Sequence, residues 1–483
     1  MQSMEPSIGL FVGAGASCEI GMPLVSELTS ALKGWLTPDE LRGFNESWRS
    51  QGGGYSNAVI DDFVAVLREP QMHYESILGY LETRFHPAAP LRHEYHALYS
   101  WLVEVVYYIF YLRHINNVEY IERNLHYLEG IQRLASETSP LWIFSLNHDL
   151  LIECLAAHYK IPLNCGFGCG LVKLPRRDKT GTKVGDLTAE TLTADQLERG
   201  MVFFPPCTPG INLFKIHGSL DTFTFRDGQD LLKLVPTESS VSGVITALRS
   251  ANEELLYVDA RLPHPAKTIN EITYADELGE MQFLRRSLLG GAFKFDNRFS
   301  QVLPFRILDN FKSCVERVSK LVCIGYGFGD AHINGIIRTW LERSTDRQLE
   351  IVSPKREIPS FLLHLTRQIT PRDSKATDYL DAATGIVRSR HDALEKNLGA
   401  WISGNRDKDD AQRQFLAFIF QTNERMAAAV IQKLSNLPRR DGKLDFDSLG
   451  IAPEQLAHRW LEELGFSVDD VLHAFLESRA RTS

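Results

Sequence analysis

Short apolar runs recur through residues 8 to 354, and each stops at glycine or at small polar side chains. Ile8-Gly9-Leu10-Phe11-Val12 runs into Gly13-Ala14-Gly15-Ala16-Ser17. Leu141-Trp142-Ile143-Phe144-Ser145 runs into Leu146-Asn147-His148-Asp149, and Leu213-Phe214-Lys215-Ile216 into His217-Gly218-Ser219. Lys320–Ile324 ends in Gly325-Tyr326-Gly327-Phe328-Gly329-Asp330, and Gln348–Val352 ends in Ser353-Pro354. A continuous apolar run this short, bounded by chain breakers, predicts a strand covered on both faces. Helical spacing follows most of them: Leu24, Leu28, Leu32 and Leu36 after Pro23, then Leu150 to Tyr159, then Ile333 to Leu341. Strands alternating with helices predict an α/β fold, a doubly wound parallel sheet of Rossmann-like type.

Between the first two strands the period changes. Tyr55 to Leu67, Tyr74 to Phe85, Leu91 to His114 and Glu119 to Ser136 carry apolar residues three and four apart, broken by Gly52-Gly53-Gly54 and by Pro87 to Pro90. This predicts a helical insertion over about 38–138. Its aromatic run Tyr107 to Tyr111 reads as helix core. Gly166 to Gly200 is rich in Gly, Thr and charge, with a basic cluster from Lys173 to Lys183, and is expected to be an exposed loop. After residue 357 no glycine-rich strand end appears. Arg388 to Trp401, Ala411 to Leu434 and Pro453 to Leu476 are helical in pattern, which divides the chain into 1–357 and a C-terminal helical domain, 358–483.

Composition narrows the class. The chain has 483 residues, 44% hydrophobic and 23% charged, which excludes collagen, a disordered tail and a disulfide-stapled miniprotein. Its 52 basic and 61 acidic side chains leave a net charge of −9, with no global pull toward nucleic acid or an anionic membrane. Met1 to Ser7 holds no basic residue and the first apolar run is short, unlike a signal peptide. A cytoplasmic protein without direct membrane contact is expected. Seven cysteines, none in a C-x-x-C pair, give no zinc framework. Free thiols are expected.

In a doubly wound sheet, ligands bind at the carboxyl ends of the strands. The polar strand ends are therefore the candidate site. Gly13 to Ser17, between a strand and a helix, would let a phosphate approach the backbone, although such turns also occur without a ligand. A third glycine at the dinucleotide-binding spacing is missing. Asn147 and Asp149 suit helix capping as well as catalysis. His217 is a titratable imidazole at a strand end, either structural or catalytic.

The order Gly13-Ala-Gly-Ala-Ser17, Gly21-Met22-Pro23, Asn147-His148-Asp149, His217-Gly218-Ser219 and Gly325-Tyr326-Gly327 resembles the SIR2, or sirtuin-like, NAD-consuming superfamily. Within it the chain is most similar to the bacterial SIR2-like group of anti-phage defence systems, whose members hydrolyse NAD. The resemblance implies a SIR2-like domain over 1–357 with NAD as substrate and no metal. It implies catalytic roles for Asn147 near the nicotinamide ribose, Asp149 in the nicotinamide pocket, and His217 as general base. Gly13, Ala14, Gly15, Ala16 and Ser17 would hold the pyrophosphate, with Ser145 beside them. Gly325, Tyr326, Gly327 and Asp330 would hold the adenosine half.

The chain also departs from protein-deacetylating sirtuins. Leu24-Val25-Ser26 follows Pro23 where they carry Asp-Phe-Arg, Leu146 stands where Gln is usual, and their four-cysteine zinc module is missing. These departures favour an NAD glycohydrolase releasing nicotinamide and ADP-ribose. A protein deacylase or ADP-ribosyltransferase and a non-catalytic nucleotide sensor are the alternatives. A toxic NAD hydrolase needs control, so the C-terminal helices are expected to mediate homo-oligomerisation or docking of a HerA-type ATPase, an Argonaute or a phage-sensing protein.

Overall fold

The computed structural model describes residues 7–389, except 86–88, 136–138, 169, 226–229, 260, 262–264, 292–293, 295–302 and 355–356; beyond them it describes 392, 439–440, 443–444, 459 and 463. The C-terminal helices expected beyond residue 389 lie outside the described residues.

Seven parallel strands form the central sheet: β1 (Ile8–Val12), β2 (Leu141–Ser145), β3 (Leu163–Asn164), β6 (Ile211–Lys215), β11 (Lys320–Ile324), β12 (Gln348–Val352) and β13 (Ile369–Arg372). Their order is β13-β12-β11-β1-β2-β6-β3. The chain builds outward from β1 through β2 and β6, then returns to the other side of β1 with β11. The fold is therefore the expected doubly wound α/β sheet, and its switch point lies between β1 and β11.

The two-residue period of the strands sorts side chains by face. Leu10, Val12, Ile143, Leu213, Val322 and Ile324 join a core with the helices between β1 and β2, among them Asn57–Arg68, Tyr74–Arg84 and Arg92–Ile115. Phe11, Trp142, Phe144, Phe214, Leu321 and Cys323 face the other way, onto helices Arg306–Val315 and Ala331–Glu342. Within the run Tyr107–Tyr111, Tyr107 and Tyr111 are buried as expected of helix core, while Tyr108 is exposed. Among the described residues no helix is long and apolar enough to cross a membrane.

The segment 166–200 is not an exposed loop. It supplies two strands, β4 (Leu171–Arg177) and β5 (Lys183–Leu192), to a second sheet. Four further strands complete that sheet: β7 (Thr222–Phe225), β8 (Asp230–Val235), β9 (Glu271–Ala275) and β10 (Met281–Arg286), in the antiparallel order β4-β5-β8-β7-β10-β9. Its charged residues belong to half-buried strands: Lys173 is exposed while Leu174, Leu187 and Ala189 face a core with helix Val241–Glu253. Thr180, Gly181 and Thr182 make the hairpin turn, where the Asp178 carboxylate accepts from the Thr180 and Thr182 amides.

The central sheet also continues past residue 357. Strand β13 pairs with β12, and helix Ala376–Thr384 packs over helix Glu129–Ala135, with Leu380 against Gly130. A methyl group on Gly130 would lie 2.8 Å from the Leu380 Cβ.

Candidate active site

Two glycine turns meet at the switch point. The Gly13 amide donates to the Ile324 carbonyl at 3.0 Å, and the Gly15 amide to the Gly325 carbonyl at 3.0 Å. A Cβ on Gly13 would fall 2.7 Å from the Gly325 oxygen, and one on Gly15 2.7 Å from the Gly325 Cα. Gly325 itself is left-handed, with φ +64. The backbones thus interlock, and these three glycines are demanded by each other. Gly327 has nothing within 4 Å of its would-be Cβ. The turn opens onto a single helical turn, Ala14–Ser17, and the long helix begins only at Val25.

The loop after β2 docks on the first of these turns. The Asn147 side-chain amide donates to the Gly13 carbonyl at 3.0 Å and to the Ser17 hydroxyl at 2.8 Å. The Asn147 backbone amide donates to the Ser145 hydroxyl at 3.1 Å. Asp149, one residue before the N-cap Leu150 of helix Leu151–His158, accepts from the Leu151 amide at 3.2 Å. This contact and a place in the site coexist, because Ala16, Ser17, Ser145, Asn147 and Asp149 line one cavity. Its far wall is apolar: Leu128, Ile131, Ala376 and Leu380.

His217 lies on a neighbouring strand end and does not line that cavity. Its turn is clamped by the end of the second sheet. Gly218 is left-handed and its would-be Cβ lies 2.1 Å from the Ser287 carbonyl, while the Leu289 amide donates to the His217 carbonyl at 3.0 Å. The buried imidazole Nε2 faces Asp330 Oδ2 at 3.2 Å. Asp330 also caps helix Ala331–Glu342, accepting from the His332 and Ile333 amides. The carboxylate expected beside adenosine is therefore held on the imidazole. Tyr326, from the same turn, packs on Phe11 and donates its hydroxyl to Asn334.

Charge around the imidazole is dense. Burial, with the Lys294 ammonium second, lowers the His217 pKa below its ordinary 6.5, against the opposing pull of Asp330. Burial pushes the Asp330 carboxyl up, but the His217 contact and Lys294 outweigh it and hold it below the usual carboxylate value. A neutral imidazole beside an ionised carboxylate follows. A neutral ring with its proton on Nε2 would donate to that carboxylate and keep its lone pair on Nδ1. Lys294 pairs with Glu75 at 2.6 Å, and the His148 ring centroid is 6.5 Å from that of His217.

Glu75, Lys294 and Lys215 were not singled out from sequence. Glu75 lies in the inserted helices and Lys294 beyond β10, so nothing local marks them. Lys215 carried a signal, a lone cation closing an apolar strand. Cys169 lies outside the described residues; Cys154, Cys165, Cys207, Cys314 and Cys323 are free thiols.

No family model and no curated protein matches the chain. Among solved structures, the crystal structure of a Sir2 homolog–NAD complex matches 78% of this chain and 88% of that one, at 13% identity and a TM-score of 0.33.

Proposed function

We propose that the protein is an NAD glycohydrolase of SIR2 type, acting in bacterial anti-phage defence, with His217, Asn147 and Asp149 at its reacting centre. The observation that carries this is the buried His217–Asp330 pair at a strand end, one turn from the interlocked glycines of the switch point. Such a pair is a general base with its tautomer set.

Water attacks C1′ of the nicotinamide ribose as the glycosidic C–N bond breaks and its electron pair leaves with neutral nicotinamide. His217 Nδ1 takes the proton that the water gives up and returns it to solvent. Because the Gly13 carbonyl only accepts, the Asn147 amide nitrogen must face it, and the Asn147 carboxamide oxygen is the atom that orients a ribose hydroxyl or the water. Asp149, in the cavity wall, meets the nicotinamide carboxamide. The Gly13–Ser17 and Gly325–Gly327 turns face the remainder of the dinucleotide.

The chain beyond residue 389 is where we place control, by self-assembly or by docking a defence partner. Light scattering on a chain ending at Ser389 tests that part; an assembly unchanged in size, with unchanged control, removes it. The activity is tested by incubating the full chain with NAD+ and quantifying nicotinamide and ADP-ribose. His217→Ala and Asn147→Ala are each expected to lower turnover by about 10²-fold or more. Near-wild-type turnover in either folded variant removes that residue's role. Turnover that depends on an acetylated peptide points instead to a deacylase, and NAD binding without product to a sensor.

A further inference from the structure

Four charged side chains are buried together beneath the Asn147–Asp149 loop. They are Lys215 from the end of β6, Glu153 from helix Leu151–His158, Lys233 from β8 and Asp221 from the turn before β7; each side chain is at most 9% exposed. The Lys215 ammonium donates to the Asn147 carbonyl at 3.2 Å and to the Asp149 carbonyl, and lies 3.5 Å from Glu153. The other Glu153 oxygen is 3.2 Å from the Lys233 ammonium, which also pairs with Asp221. Two cations and two carboxylates balance.

A buried ion network of this kind is weak support for stability, because desolvating four charges offsets most of their attraction. Its geometry points elsewhere. The Asn147 and Asp149 carbonyls, two residues apart in a segment without regular secondary structure, converge on one ammonium. With their carbonyls held on that ammonium, the Asn147 and Asp149 side chains both line the cavity. The Ser145, Gly13 and Ser17 contacts act on Asn147 and the Leu151 amide contact on Asp149, whereas the Lys215 ammonium holds both residues at once.

We propose that Lys215 is the positioning residue for Asn147 and Asp149, aiming both side chains into the cavity, with Glu153, Lys233 and Asp221 anchoring its ammonium to the second sheet. The inference rests on the proposed NAD site, where misplacing a reacting group by about 1 Å is enough to lower the rate about 10²-fold.

The experiment compares the full-length wild type with Lys215→Met, Lys215→Arg and the double variant Lys215→Met with Glu153→Gln. The double variant leaves no unpaired carboxylate facing the lost ammonium, so it serves where Lys215→Met does not fold. Two readouts are taken: nicotinamide release, and amide hydrogen exchange over residues 146–151 against residues 320–324 of β11. The expected result is a fall in kcat of about 10-fold to 10²-fold with KM changed less than about 3-fold. Exchange should rise over 146–151 alone, and Lys215→Arg should restore most of the rate. Wild-type kcat with wild-type exchange in the folded methionine variant overturns the inference. So does a loss that arginine fails to restore and that spreads to β11, which is what a merely structural lysine would produce. A wild type that releases no nicotinamide, while the variant loosens 146–151, sinks the NAD reading and keeps the positioning role.

Discussion

Replacing Gly325 by alanine separates the two roles a glycine turn can have. In the folded chain Gly325 sits at φ +64, and a Cβ there would stand 2.4 Å from both the Ala16 amide nitrogen and the Gly15 carbonyl carbon. Alanine in the left-handed region costs about 1–2 kcal/mol. Forcing a methyl into a closed contact costs about 1–3 kcal/mol, and backbone atoms on the far side yield less readily than a side chain would. Gly325→Ala should therefore lose about 2–5 kcal/mol of stability, on the sum of those two terms. Gly13→Ala meets the Gly325 oxygen at 2.7 Å with no unusual φ, so only the contact term applies, about 1–3 kcal/mol. Gly327→Ala meets nothing within 4 Å and should stay within about 0.5 kcal/mol of wild type. Calorimetric unfolding reads the order Gly325, then Gly13, then Gly327. NAD cleavage by the stable Gly327→Ala variant then reports ligand contact alone: a raised KM at unchanged Tm places the substrate against that turn. Wild-type stability in Gly325→Ala would refute the reasoning, since it would mean that the turns do not interlock.

Asp330→Asn should keep the helix cap, because Asn caps as well as Asp, yet remove the charge facing Nε2; kcat is expected to fall about 10²-fold with Tm little changed, and an unchanged kcat would detach Asp330 from catalysis. The pH profile follows from the depressed imidazole. A base below its ordinary 6.5 stays neutral as pH falls past that value, so kcat/KM should hold level from pH 8 to about pH 6.5 and fall only below it; a midpoint above 6.5 would contradict the burial argument. Stability has the same sign: His217, His148, His114 and His96 all titrate below 6.5 when folded, so the unfolded chain binds more protons there and stability drops as pH falls from about 6.5. Leu380→Ala, at a side chain 1% exposed, should cost about 2–5 kcal/mol by denaturant melting, and a loss under about 1 kcal/mol would mean that helix Ala376–Thr384 is not docked as described.

The parallel strands of the central sheet were legible because both of their faces are covered, so their apolar runs are unbroken: Leu141–Phe144 and Leu321–Ile324 need no partner to be recognised. Strands β4 and β5 hid behind their own solvent face. Lys173 breaks the apolar stretch of β4, and Asp186 and Glu190 break that of β5. Strand β13, Ile-Thr-Pro-Arg, carries a proline that only a sheet edge tolerates, so it reads as a turn. In the site, each strand end was visible, but their partnerships were not. Glycine beside a strand signals close approach without saying what approaches, and here Gly325 approaches Gly13 and Gly15. Asp330 pairs with His217 across a long stretch of chain, and no local pattern encodes that contact.

The place of β1 at the middle of the sheet governs when the protein can work. Residues Gly9–Val12 pair on one side with Trp142–Ser145 and on the other with Leu321–Ile324. A ribosome delivers the first strand at once and its second neighbour only after two-thirds of the chain has been made. Until then the Gly13–Ser17 turn has no Gly325 turn to close against, and His217 has no Asp330. Synthesis runs at about 5–20 residues per second, so the nascent chain passes many seconds without a reacting centre. A chain that stops before β11 lacks both the Gly325 turn and Asp330. For the proposed NAD hydrolysis, this order of strands would keep the site unassembled until translation has passed β11, about two-thirds of the way along the chain.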